Sequence, residues 1–538
     1  MADVISFITD RARKILGVWR PPRTLGEVSL TWGLALPCVI LLHLVITVTL
    51  AAKLNIWLDE AYTLRATTSG VIEANRFALL DLQPPLYYVA LSLWRALGDS
   101  LFVARLFSVV CCAVAIWVVA RLSGEVVREV SAAWLALLMA VNPYVIWAAV
   151  EARGYALAVL LSALLAVVFV RGYLAGDVRR RDRIIYVVIA LLAIYEYYLL
   201  GFLLLANLLT LAIVRKWPAF RKYVSDMVIV GLLSIPVVPY VVARMPWAYG
   251  YGVEGQQASE PISFLFALKY VNWTIQNYIL GVHPVLDPWK DILWMVLPVV
   301  ALGILVMRRA VLWRPERISI LVAAALCALG FAGMYWETNG YFEYRHGAPL
   351  VVPCVMALFV LMASLWTWRS VALWAVVVCV FSGASLYVTY EPMSKNGDWD
   401  RASRYIRDHG DGQVPILVFV SYQELPLRFA FSGPNPIVPV PEPCFDEKNW
   451  TLKDCILRDE EQLLRLVAGL PGRGAVVWLV TWYSCGYRGE RYNCEVLEEF
   501  VRKYYAVEQG RSFRGSTVRL LRLKEPIRDN LRRPSGAV

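Results

Sequence analysis

Apolar and polar positions fall along this chain in long blocks, not at the short spacings of surface helices or half-buried strands. Apolar runs of about 17–25 residues recur, the length a helix needs to cross a hydrocarbon layer about 30 Å thick. Taken in order they predict eleven membrane-spanning helices, at roughly 29–52, 101–122, 131–150, 154–174, 184–198, 199–214, 224–243, 291–307, 317–335, 347–366 and 370–389. The fifth and sixth are short and meet at Tyr195-Glu196-Tyr197-Tyr198, where a single bent hairpin is the alternative. Two apolar stretches are too short to cross. Leu86–Leu97 (LYYVALSLWRAL) follows a Pro84-Pro85 pair and carries Arg95, and Phe264–Leu280 resembles it. Both are predicted as helices lying on the membrane surface.

From about Glu391 the blocks give way to a mixed pattern. Helices are predicted at Trp399–His409, Leu457–Leu470 and Glu495–Tyr504, with strands at Ile416–Val420, Ala475–Thr481 and Val518–Leu523. That alternation predicts a small α/β domain. The fold class is therefore a polytopic α-helical membrane protein over residues 1–390, followed by an extracytoplasmic α/β domain over 391–538.

Composition agrees: 59% of residues are hydrophobic and 18% charged, against about 45–50% and 25% in soluble proteins. Mean hydropathy is +0.55. The net charge of +11 would fit a polyanion partner if the basic residues formed one surface. Instead they cluster between spans, as in Arg11–Arg23, Arg179–Arg183, Arg215–Lys222 and Arg308–Arg317. This is the positive-inside bias that orients spans, and it excludes nucleic acid as the reason for the charge. With those loops cytoplasmic and an odd number of spans, the tail lies outside, and so do the long segments 53–100 and 244–290. A basic N-terminus with no cleavage pattern makes the first span an uncleaved anchor. The expected location is a multi-pass protein of the plasma (inner) membrane with a periplasmic or extracellular tail.

Of ten cysteines, six fall in spans and four, Cys444, Cys455, Cys485 and Cys494, in the tail. In an oxidising compartment these form two disulfides, with Cys444–Cys455 and Cys485–Cys494 preferred among three pairings. A zinc site lacks a Cys-x-x-Cys spacing, and the only histidine of the tail is His409.

Polar residues, most of them ionisable and of both signs, gather where the spans reach the outer surface. They are Asp59 and Glu60; Asp81 and Gln83; Glu151 and Arg153; Glu196; Lys269; and Glu343, Arg345 and His346. Charges at membrane depth are costly and are paired or functional; inter-helix bracing is the plain alternative. Such a set suits group transfer from a phosphate-linked donor. A carboxylate takes the proton of an attacking hydroxyl or amine, and arginines hold the phosphate bidentately and stabilise its charge as it leaves. A donor on an isoprenoid chain would keep its tail in lipid and its phosphate at the surface helices.

Six local motifs resemble, in order, those of the GT-C glycosyltransferases related to protein O-mannosyltransferases and lipid A aminoarabinose transferases. They are Asp59-Glu60-Ala61-Tyr62, Gln83-Pro84-Pro85-Leu86-Tyr87-Tyr88, Arg105-Leu106-Phe107-Ser108, and Asn142-Pro143 running to Glu151-Ala152-Arg153-Gly154-Tyr155. The last two are Tyr344-Arg345-His346-Gly347 with Pro349 and Pro353, and Asp398-Trp399-Asp400-Arg401. The resemblance implies a polyprenyl-phosphate-linked sugar donor, inversion at the anomeric carbon and a first-loop Asp as catalytic carboxylate. Carried over, Asp59 is the base, with Glu60 and Glu151 orienting the acceptor. Arg153, Arg345, Lys269 and His346 are the phosphate ligands, and Gln83, Tyr62, Glu196 and Tyr344 line the acceptor or sugar pocket. Gln83 stands where His is usual, and His346 where Tyr is usual, so the sugar is not read across. The acceptor is a lipid, a glycan or a protein. Asp59 and Glu60 alone make no compact ligand set, so no metal is expected, with a divalent ion the alternative.

A transporter or flippase for a lipid-linked sugar is the competing reading. Transporters place coupling residues near the bilayer midplane on broken helices, whereas these charges sit at span ends.

Overall fold

A computed structural model describes residues 28–242, 262–276, 290–443 and 455–524, apart from gaps of one or two residues. Among the described residues, six helices are long and apolar enough to cross a membrane: Ala35–Lys53, Leu101–Val126, Tyr155–Leu174, Pro315–Glu337, Tyr344–Leu365 and Val371–Tyr390. Two bent pairs add two more if each is one span, Ala132–Ala140 with Pro143–Ala149 at 59° and Trp217–Leu233 with Ile235–Val242 at 45°.

The expected span 131–150 is thus broken, and its sequence says why. Pro143 has no N–H to give to the preceding turn, and Asn142 starts a fresh helix by accepting from the amides of Tyr144 and Val145. The expected fifth and sixth spans are the shorter helices Arg180–Glu196 and Gly201–Ile213, joined by a 3-10 turn at Tyr198–Leu200. The expected span 291–307 is a helix, Lys290–Met307, with Pro298 inside it.

The segment after the first span holds three short helices, Leu58–Ala66, Val71–Leu80 and Leu86–Trp94, of which sequence predicted only the last. Leu86–Trp94 crosses nothing. Its continuation buries Arg95, whose guanidinium donates to the Leu64 carbonyl at 2.6 Å and to the Thr67 hydroxyl at 2.8 Å. The arginine caps the end of helix Leu58–Ala66, where carbonyls lack partners and the helix dipole is negative.

The C-terminal domain is a five-stranded mixed sheet in the order β2-β1-β3-β7-β6, with β1 at Ile416–Phe419, β2 at Ile437–Pro439, β3 at Val476–Trp482, β6 at Tyr505–Phe513 and β7 at Ser516–Leu523, beside a two-stranded ribbon of β4 at Gly486–Tyr487 and β5 at Glu490–Arg491. β1 runs parallel to β2 and β3, while β7 is antiparallel to β3 and β6. Alternate side chains of a strand face opposite ways, and the two faces join different cores. Leu417, Val477, Leu479 and Leu521 pack under helix Cys494–Tyr504. Ile416, Val418, Trp478, Val480 and Leu520 pack with Trp399 of helix Trp399–His409, and with Ala61, Leu64 and Leu91 from the first loop. The C-terminal domain therefore shares a core with helix Leu58–Ala66, whose first turn carries Asp59. Cys485 and Cys494 are joined by a disulfide, and Cys455 is also disulfide-bonded; Cys444 lies outside the described residues.

Candidate active site

Helix Leu58–Ala66 begins just after Trp57, whose backbone is extended, so Asp59 and Glu60 occupy its first turn. Carboxylates are favoured at that end of a helix. Neighbouring residues on a helix point about 100° apart, and the two acids meet opposite surroundings.

Glu60 turns inward and is fully buried. Arg105 of the second span grips it at both oxygens, Nε to Oε1 at 2.8 Å and Nη2 to Oε2 at 2.6 Å. The Ala152 amide donates to Oε1 at 3.0 Å and Lys395 Nζ to Oε2 at 3.0 Å. Arg105 also donates to the carbonyls of Ala51, Leu54 and Asn55 at the end of the first span. Lys395 reaches on to Glu151 at 2.8 Å and to the Val150 carbonyl at 3.0 Å, and Trp57 Nε1 donates to the other oxygen of Glu151. Glu151 is 1% exposed. Glu60 and Glu151, expected to orient an acceptor, instead meet partners within the protein and form one buried cluster with Arg105 and Lys395.

The cluster's protons are unevenly held. Burial would raise the Glu60 carboxyl, but the charges of Arg105 and Lys395 outweigh it and hold it below the usual carboxylate range. Burial pushes Glu151 up, with Lys395 opposing and the charge of Glu60 adding. A carboxyl raised on folding contributes stability that is lost as pH rises above the ordinary carboxyl range, near 4.5. Melting curves in detergent are expected to decline with rising pH above that range for the wild type and to flatten in Glu151→Gln. Equal slopes in both proteins would remove Glu151 as the cause.

Asp59 points the other way and is partly exposed, with Oδ2 3.3 Å from Arg345 Nη1. Arg345 also lies 3.5 Å from Glu343, and three tyrosines hold its 3-10 turn, Tyr344–Gly347. Tyr144 Oη donates to the Arg345 carbonyl at 2.7 Å, Tyr197 Oη to the His346 carbonyl at 3.2 Å, and the Tyr344 amide to Tyr270 Oη at 2.9 Å. His346 is buried with its ring edge-on to Phe342, and half-buried Tyr344 lies beside Trp147. Half-buried Lys269 immediately precedes Tyr270 on helix Phe264–Thr274.

Arg153 is the second arginine. Its Nη1 donates to Tyr88 Oη at 2.8 Å and to Thr63 Oγ1 at 3.2 Å. Glu196 sits nearby, 3% exposed, within the field of Arg153 and against the backbone of Tyr87. Neither of its carboxylate oxygens closes a hydrogen bond among the described residues. A side chain at Gly154 would meet that carboxylate, which would have to shift. Half-buried Tyr62 follows Glu60 on its helix, and Gln83 stands half-buried ahead of helix Leu86–Trp94; Asp81 lies outside the described residues. Among the described residues no three His, Cys, Asp or Glu side chains converge as a metal site.

The structure thus brings Asp59 to Arg345, and Arg153 to Glu196, while Glu60 and Glu151 join a different cluster. Sequence reading missed Tyr88, Tyr155 and Lys395. Tyr155 lies in the electrostatic reach of Asp59, Arg153 and Arg345 together, and its place in Glu-Ala-Arg-Gly-Tyr was the available signal. Lys395, a lone lysine five residues past the last span, carried none.

Apolar spans with short helices between them, and a mixed α/β domain packed on the first loop, make up an overall fold that solved structures share. Among solved structures, ArnT from Cupriavidus metallidurans in the apo state matches with a TM-score of 0.53 at 14% identity, over 92% of this chain and 98% of that one. The same protein bound to undecaprenyl phosphate matches with 0.45 at 15% identity, over 90% and 97%. The Archaeoglobus fulgidus oligosaccharyltransferase in complex with zinc and sulfate matches with 0.45 at 12%, over 82% and 68%. No family model matches the chain, and no curated protein does.

Proposed function

We propose that this chain is an inverting membrane glycosyltransferase. It moves a sugar from a polyprenyl-phosphate donor to a lipid, glycan or protein acceptor on the outer face of the membrane. The observation that carries the reading is the Asp59–Arg345 pair, partly exposed and 3.3 Å apart, at the end of the first span in a GT-C fold. Asp59 takes the proton of the attacking acceptor group. Arg345, released from Asp59 by substrate, and Arg153 neutralise the phosphate that departs.

A site for the donor's tail fits an apolar cavity of about 250 Å³ between helix Leu86–Trp94 and helix Arg180–Glu196, lined by Asn75, Pro85, Leu86, Val89, Leu191, Leu192 and Tyr195. Its lining residues Leu86 and Tyr195 are the immediate neighbours of Tyr87 and Glu196 along the chain.

Purified protein incubated with a radiolabelled polyprenyl-phosphate sugar and a membrane extract is expected to move label into an acceptor. Label that crosses sealed vesicles by counterflow, with no covalent product, would replace this reading by a transporter.

A further inference from the structure

The cluster draws on four distant parts of the chain, and its contributor from the end of the membrane region is not part of any span. Lys395 belongs to the linker between Tyr390, where the last span ends, and Asp398, which precedes helix Trp399–His409. It is 8% exposed, and its backbone is fixed too, its amide donating to Asn55 Oδ1 at 2.6 Å.

Its two acidic partners sit beside the two halves of the site. Glu60 follows Asp59 in the same helical turn, and Glu151 lies two residues before Arg153. One ammonium therefore ties together the segments that carry the proposed base and one phosphate arginine. The Ala152 amide on Glu60 closes the same junction from the other side.

The linker is in turn held by the C-terminal sheet. Arg514, in the turn between β6 and β7, donates through Nη1 to the carbonyls of Glu391 and Ser394, each at 2.9 Å. The Gly397 amide donates to the Arg514 carbonyl at 2.9 Å. A continuous set of hydrogen bonds thus runs from the β6–β7 turn through the linker to Lys395 and on to the site.

We infer that Lys395 is a positioning residue, through which the C-terminal domain sets the separation of Asp59 and Arg153. The inference rests on the glycosyltransferase reading for its effect on rate, but its geometry does not. Two considerations fit it. Without Lys395, Glu60 keeps Arg105, but Glu151 loses its cation, and the ammonium that joins Glu60, Glu151 and the Val150 carbonyl no longer holds the two segments together. Displacing reacting groups by about 1 Å costs about 100-fold in rate.

The test uses the full-length protein in detergent or liposomes with Lys395→Met, Lys395→Met/Glu151→Gln and Arg514→Ala. Sugar transfer by Lys395→Met is expected to lose about 100-fold in kcat with the donor KM nearly unchanged. Amide exchange is expected to rise over residues 58–66 and 150–155 and to stay as in the wild type over β1 and β3. The double variant lacks the carboxylate left without its cation and should regain protection and most of the rate. Arg514→Ala, which touches no group of the cluster, should shift rate and exchange in the same direction by less.

Wild-type exchange over 58–66 and 150–155 in Lys395→Met overturns the inference, whatever the activity. A double variant as loose as the single overturns it as well. Wild-type protein that transfers no sugar, yet shows these exchange changes, instead defeats the glycosyltransferase reading and leaves the positioning role supported.

Discussion

Asp59→Asn is expected to lower sugar transfer by about 100- to 10,000-fold, the usual contribution of a general base, while the protein stays folded. The amide keeps the shape of the carboxylate and its reach to Arg345, but it cannot take the acceptor's proton. Stability should change little, because both members of the Asp59–Arg345 pair are about one-fifth exposed, at 22% and 21%, and such pairs contribute about 0–1 kcal/mol. Melting temperature and initial rate measured on the same preparation separate the two effects. Wild-type transfer by a well-folded Asp59→Asn protein would assign the base elsewhere.

The adjacent acid should behave in the opposite way. Glu60→Gln leaves the Arg105 guanidinium and the Lys395 ammonium short of a counter-charge in a site closed to water. Removing one partner of a buried pair costs about 3–5 kcal/mol, so the melting transition should fall sharply. Arg105→Met should be at least as damaging, since it also strips donors from the Ala51, Leu54 and Asn55 carbonyls. In a double-mutant cycle the combined loss should be clearly smaller than the two single losses added together, because the pair acts as a unit. Additive losses, or a Glu60→Gln protein as stable as the wild type, would contradict the buried cluster. Two neighbouring residues are thus predicted to separate cleanly, one affecting rate and the other stability.

Much of this arrangement was legible in sequence where one physical signal dominated. Helix Trp399–His409 repeats its apolar residues with helical period, and the structure places it at those bounds. The central strands are apolar throughout and were found within a residue or two. Strand β6 was not found because YAVEQGRSF is an edge strand exposed along most of its length, so polarity hides it. β2, three residues ending in proline, is too short to register.

In the site, the outcome turned on partners. A carboxylate at the start of a helix reads the same in sequence whether it faces a cavity or an arginine 45 residues away. Glu60 and Asp59 were therefore indistinguishable by composition. What separates them is Arg105, whose place in Arg-Leu-Phe-Ser was noted as a motif and not as a counter-ion.

The span of the cluster along the chain bears on how the protein is made. Arg105 follows Glu60 by 45 residues, so those two opposite charges can neutralise each other soon after the first two spans have been delivered to the membrane. Lys395 arrives 335 residues after Glu60 and 245 after Val150, once every span has been synthesised. Until then Glu151 has no cation of its own. The protein therefore reaches its finished form in a defined order, and a ribosome that stops before residue 395 leaves a membrane region inserted but not locked.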